Sequence, residues 1–192
     1  SARDLDYGLK LHRDCYVVDG YGFAAMGAAD PERLRALIEA GASDLELRDA
    51  QEDGSMTRWA TVEAQFREAA EAWEAAGVDC VWINAGEESN EIGTLFKRLA
   101  RRSYACDLRP EFCRRAIAPD DMAAAKAAGR RCLYMTANGV PLPQRFESLE
   151  DELSFIRPLF QLGVRMAHLV YQRGNAIGQG CGRGTGGVEL GR

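Results

Sequence analysis

The chain has 192 residues, 46% hydrophobic and 8% aromatic, which is enough apolar material for one domain with a sizeable core and excludes a disordered segment. A formal net charge of −5, with Arg101, Arg102, Arg130 and Arg131 interspersed among acids, supplies no basic stripe for a phosphate backbone, so no nucleic acid is expected as a partner. No apolar run approaches the ~20 residues of a membrane helix and Ser1-Ala2-Arg3-Asp4 carries no leader pattern, so no membrane partner is expected and the reading is a cytoplasmic protein.

In chain order, the first expected element is a strand over residues 15–19, an apolar β-branched run. Helical periodicity follows over 31–40 and 57–76, then a strand over 78–84 and a helix over 90–107. A helix over 119–128 leads to a strand over 132–136, and a helix over 148–162 leads to a last strand over 164–171. Pro31 and Pro119 stand near first helical turns, Ser148 precedes Glu150-Asp151, and Gly41, Gly77, Gly129 and Gly163 stand just past helix ends. Residues 178–192 are glycine-rich and polar, as in a loop.

Near-continuously apolar strands alternating with helices predict an α/β protein with a parallel sheet, covered on both faces or closed as a (β/α) barrel. Four such units amount to the first half of an eightfold barrel, so residues 1–192 read as a single partial barrel domain. Half a barrel leaves two open edges and an uncovered inner face, which calls for further strands in a longer chain or for a homo-oligomer. Of the six cysteines, Cys15, Cys80 and Cys132 fall in apolar strand-like runs and are expected as free thiols. No CxxC is present, and His12 and His168 are far apart in sequence, so a cysteine/histidine zinc site is not expected.

Ligands of parallel α/β folds bind where the strands end. The segments there are Asp19-Gly20-Tyr21-Gly22-Phe23, Asn84-Ala85-Gly86-Glu87-Glu88, Thr136-Ala137-Asn138-Gly139 and Tyr171-Gln172-Arg173-Gly174-Asn175. Together they make a polar, glycine-loosened mouth, although turn geometry and solvation account for the same residue types equally well. Glu87 and Glu88 read as a solvated loop, His168 as a hydrogen-bonded core histidine inside the last strand, and His12 as a surface residue. The run Gly180-Cys181-Gly182-Arg183-Gly184-Thr185 is not read as a phosphate loop, because no strand immediately precedes it and the lysine is missing.

Val17-Val18-Asp19-Gly20-Tyr21-Gly22-Phe23 resembles the opening strand of the membrane dipeptidase (renal dipeptidase) family, an apolar run followed by Asp-Gly-His-x-Asp. Leu162-Gly163-Val164-Arg165 through Tyr171 to Asn175 is similar to that family's Leu-Gly-Val-Arg strand, which ends in His or Tyr with an Asn shortly after. Ile177-Gly178-Gln179-Gly180-Cys181 and Gly186-Gly187-Val188-Glu189-Leu190-Gly191-Arg192 extend the likeness. The resemblance implies a barrel of the metal-dependent hydrolase type whose two zinc ions activate water for dipeptide hydrolysis.

At the positions that match the family's ligands, this chain has Tyr21 for His, Phe23 for Asp and Thr136 for the bridging Glu. Phenylalanine offers no donor, and neutral tyrosine and threonine are poor zinc ligands, so no cofactor is expected here although the family uses zinc. The expectation is a member or fragment with lost or altered hydrolysis, whose mouth takes a small peptide-like ligand through Tyr21, Thr136, Asn138, Tyr171 and Asn175. Two other readings stay open: an active metal hydrolase completed by residues beyond 192, and a non-catalytic binding or self-associating domain.

Overall fold

The computed structural model describes residues 2–23, 25–85, 92–138, 148–172 and 177–182. Helix α1 (Ala2–Asp14) leads into β1 (Val18–Gly22), and three helices follow: α2 (Pro31–Glu39), α3 (Asp44–Thr61) and α4 (Glu63–Ala76). Then come β2 (Cys80–Asn84), α5 (Ile92–Leu108), β3 (Cys113–Arg115), α6 (Pro119–Ala127) and β4 (Arg131–Ala137). Two short helices, α7 (Leu149–Leu153) and α8 (Ile156–Gln161), precede β5 (Val164–Ala167). Among the described residues no helix is long and apolar enough to cross a membrane.

Local chemistry sets most of these boundaries. Asp30 caps α2 by accepting from the N–H groups of Glu32 and Arg33, both at 3.1 Å, with Pro31 in the first turn. Ser43 and Glu46 form a reciprocal capping box that starts α3. Gly77, at φ 63°, ends α4 in the left-handed conformation that glycine adopts without strain.

The sheet is parallel throughout, in the order β1-β2-β4-β3. β5 pairs with the C-terminal half of β4, beyond the stretch that β3 occupies. The predicted α/β class, parallel strands alternating with helices, is therefore what the chain builds. Its order contains one reversal: the chain steps past the place of β4 to lay down β3, then returns. A right-handed crossover that reverses direction must cross the opposite face. Packing agrees. Val81, Ile83, Leu133 and Met135 alternate onto a face covered by Trp59, Trp73, Leu95, Leu99 and Leu159, from α3, α4, α5 and α8. Cys80 and Cys132 alternate onto the other face, beneath Ala125 and Met122 of α6. The inner face expected to be bare is thus covered by α6 over the N-terminal half of the strands and left open beyond it.

Several elements differ from the sequence expectation. The helix expected over 57–76 is two helices, broken where Val62 takes an extended backbone, φ −114° and ψ 112°. α3 also begins well before residue 57; its polar N-terminal half is held by charge, with Asp49, Glu52 and Asp53 meeting Lys97, Arg98 and Arg101 of α5. The helix expected over 148–162 is broken between α7 and α8, since Pro158 lacks an N–H and its ring would collide with the carbonyl of Ser154 in a continuous helix. The last strand stops at Ala167, and Cys15 is exposed ahead of β1 rather than inside it.

All six cysteines are free. Cys80 and Cys132 are register partners on neighbouring strands, and the thiol contact between them, with burial, pushes the Cys80 thiol far above its ordinary range. At the N-terminal ends of the strands, the buried Asp79 carboxylate accepts from the Val17 N–H at 2.9 Å and from Lys126 Nζ at 2.6 Å. Lys126 also donates to the Cys15 carbonyl at 2.6 Å, so one ion pair ties β1, β2 and α6 together.

Candidate functional site

At the opposite, C-terminal ends of the strands, three elements converge on one side-chain amide. Tyr21 of β1 donates its hydroxyl to Asn138 Oδ1 at 2.7 Å, just past β4. His168 Nδ1, just past β5, lies 3.1 Å from the same oxygen. An amide oxygen only accepts, so Nδ1 donates this bond, and in the neutral imidazole Nε2 carries the lone pair. Among the described residues neither His168 Nε2 nor the Asn138 amide nitrogen has a partner.

Aromatic contacts hold the same residues in a row. Tyr21 meets Phe23 edge-on at 6.0 Å and 81°, and His168 at 5.5 Å and 59°. His168 stacks on Tyr171 at 6.2 Å and 26°. All lie within the range of favourable ring contacts. Tyr21, Asn138 and His168 are half-buried, whereas Phe23 is 62% exposed and Tyr171 43%, so the row opens to solvent.

A bulge in β1 aims Tyr21 at this site. Asp19 pairs with Val81, and a regular register would then put Tyr21 opposite Ile83, on the helix-covered face. Instead Gly22 takes Ile83 as its partner, and the extra residue turns Tyr21 to the other face. Asp19 stabilises the kink by accepting from the Tyr21 N–H at 3.1 Å. Gly22 permits it: a Cβ there would lie 2.4 Å from Asp19 Oδ2 and 2.7 Å from Val81 Cγ1.

Of the five residues expected to contact a ligand, the structure brings Tyr21 and Asn138 into direct contact and links Tyr171 to them through His168. Thr136, two residues before Asn138, does not join them. It is fully buried, and its hydroxyl donates to the Ile83 carbonyl at 3.2 Å, so it binds β4 to β2 instead of facing a ligand. Asn175 lies outside the described residues, as do Glu87 and Glu88. His168, expected to sit inside the last strand as a core residue, belongs to the mouth because β5 ends one residue before it. His12 is half-buried, its Nε2 3.1 Å from the Ala76 carbonyl.

A binuclear zinc site of the kind the resemblance implies does not fit these residues. Phe23 has no donor atom, the Tyr21 hydroxyl is committed to Asn138, and the Thr136 hydroxyl is buried against Ile83. Among the described residues no group of three or more His, Cys, Asp or Glu side chains is placed to hold a metal ion.

The open part of the same face also holds a pocket of about 370 Å³. Val18, Trp82, Tyr134 and Met166 line it from four strands, Pro119 and Met122 from the start of α6 and Ile117 from just before it, together with Arg165.

No family model matches the chain, and no curated protein matches it by sequence. Among solved structures it is similar to an amidohydrolase from Pseudomonas aeruginosa, with a TM-score of 0.56 and 14% identity over 90% of this chain. The match covers 39% of that amidohydrolase's length. At such identity the likeness is one of fold: an arrangement of parallel strands and helices. It does not reach the narrower assignment to the membrane dipeptidases.

Proposed function

We propose that this chain is part of a barrel related to the membrane dipeptidases, and that its mouth binds a small peptide-like molecule without a zinc-activated water. The observation that carries this reading is the Tyr21–Asn138–His168 cluster, standing at the strand ends where the resemblance calls for metal ligands. With Oδ1 saturated by two donors, the Asn138 amide nitrogen presents N–H groups, and His168 Nε2 presents an acceptor. A peptide group needs one of each. The Tyr21 hydroxyl locks the amide's orientation, and the stacked Tyr171 ring holds the imidazole upright, so both groups are pre-set before a ligand arrives.

Metal analysis of the purified protein, paired with a dipeptide hydrolysis assay, tests the proposal. Protein with no bound zinc, no turnover and measurable binding of a dipeptide is the expected result. Stoichiometric zinc with turnover sinks it and favours a second reading, in which further strands complete a metal site. That second reading is supported by the coverage of 39% of the amidohydrolase's length.

A further inference from the structure

We infer that the inner-face pocket is the side-chain subsite of the mouth, and that it selects peptide-like ligands bearing a neutral aromatic side chain. The inference rests on the peptide-binding reading above and adds the class of ligand.

Continuity with the mouth comes first. Asn138 follows the end of β4 four residues after Tyr134, and His168 follows the end of β5 two residues after Met166, so both mouth residues stand just beyond strands that line the pocket. At roughly 3.3 Å per residue, His168 stands no more than about 7 Å along the chain from Met166 in the pocket wall. A ligand held by its peptide group at Asn138 and His168 therefore has this pocket directly within reach of its side chain.

Shape and chemistry decide what enters. A volume of about 370 Å³ suits a small-molecule group. Trp82 and Tyr134 stand 6.1 Å apart and tilted at 58°, leaving room for a third ring at similar distances, and Met122 and Met166 add thioethers that pack well against aromatic rings. Most of the donors at the walls are already engaged. Tyr134 donates its hydroxyl to the Ala118 carbonyl. Arg165 donates from Nε to the Ile117 carbonyl at 2.6 Å and from Nη1 to the Phe160 and Val164 carbonyls, with its guanidinium 3.9 Å from the centre of the Phe160 ring. With no carboxylate on its walls, and with the Tyr134 hydroxyl and Arg165 Nε and Nη1 already donating to backbone carbonyls, the pocket gives a buried cation no compensation and favours a neutral side chain.

The test is a calorimetric comparison of Nα-acetyl-tryptophanamide, Nα-acetyl-alaninamide and free indole on the whole chain. The tryptophanamide is expected to bind about ten-fold or more tightly than the alaninamide, given the area an aromatic ring buries. Trp82→Ala is expected to reduce that preference to less than about three-fold, with circular dichroism confirming the fold. Met122→Ala, on the pocket wall contributed by α6, is expected to reduce it by a smaller factor and serves if Trp82→Ala does not fold. Equal binding of the two amides overturns the subsite and leaves the peptide-binding mouth standing. Indole binding without either amide keeps the aromatic pocket and removes the peptide reading. No binding of any of the three overturns both.

Discussion

Consecutive residues of β2 and β4 enter two different environments. Val81, Ile83, Leu133 and Met135 lie under a full helical layer, and none is more than 2% exposed. Trp82 and Tyr134 sit between them in sequence yet stay half-buried, since α6 covers only the N-terminal part of their face. The strands supply apolar residues to both faces, so what distinguishes the faces is coverage. One face is closed to hold the fold together, and the other keeps an aromatic floor beneath a polar mouth.

Truncating one tryptophan on each face separates the two most sharply. Trp73 is 3% exposed and donates from Nε1 to the Val78 carbonyl at 2.8 Å, so Trp73→Ala is expected to cost about 3–5 kcal/mol in urea unfolding. Trp82→Ala, on the open face, is expected to cost less than about half of that. Equal losses would mean that the open face is as tightly packed as the closed one.

Next in size is the ion pair at the closed end of the strands. Asp79→Ala leaves the Val17 N–H and Lys126 without their carboxylate, and removing one partner from a buried pair is expected to cost about 3 kcal/mol in the same measurement.

Gly22→Ala tests the bulge that supplies the mouth with Tyr21. Its Cβ would collide with Asp19 and Val81, with an expected cost of about 1–3 kcal/mol. A structural readout is more telling than the stability loss: the Tyr21 and His168 ring resonances should shift together as the bond to Asn138 is lost. Unchanged resonances would show that the bulge does not position Tyr21.

The smallest effect concerns α6, the helix that divides the second face into covered and open parts. The N–H groups of Ile117 and Ala118, donating to Asp121 at 2.8 and 2.9 Å, hold its carboxyl below the ordinary value of 3.8. A lowered carboxylate contributes stability that is complete above 3.8 and lost as pH falls below that value, through the folded one. Asp121→Ala is therefore expected to cost about 1 kcal/mol at neutral pH, and the gap from the wild type should shrink below pH 3.8. A gap independent of pH would rule out the charge as its source.

The parts of the fold most legible in the sequence are those with the strongest local signals. The apolar runs that became β2 and β4, and the glycines at 77 and 163 that end helices before strands, mark a parallel α/β chain without reference to structure. β3 was not legible, because three residues, Cys-Arg-Arg, are too few to show alternation. The same limit governed the site. Strand-end logic named Tyr21, Asn138 and Tyr171, which the structure brings near one another, and also Thr136, since a residue near a strand's end turns to the mouth or to the neighbouring strand according to a register that sequence does not display. His168 was hidden by the apolar residues on either side of it, which read as continued strand until β5 is seen to end at Ala167. The bulge in β1 has no sequence mark beyond a pair of glycines flanking a tyrosine.

Helix α1 stands apart from both faces. None of its residues is buried, and Leu5, Tyr7, Leu9 and Leu11 are all about half exposed or more. The His12 imidazole at the Ala76 carbonyl and the Lys126 bond to the Cys15 carbonyl secure its C-terminal end. A segment joined in this way can open while the sheet stays closed, so its amide hydrogens should exchange with solvent long before those of β2 and β4. A protease should accordingly cut within residues 2–14 while the sheet stays intact.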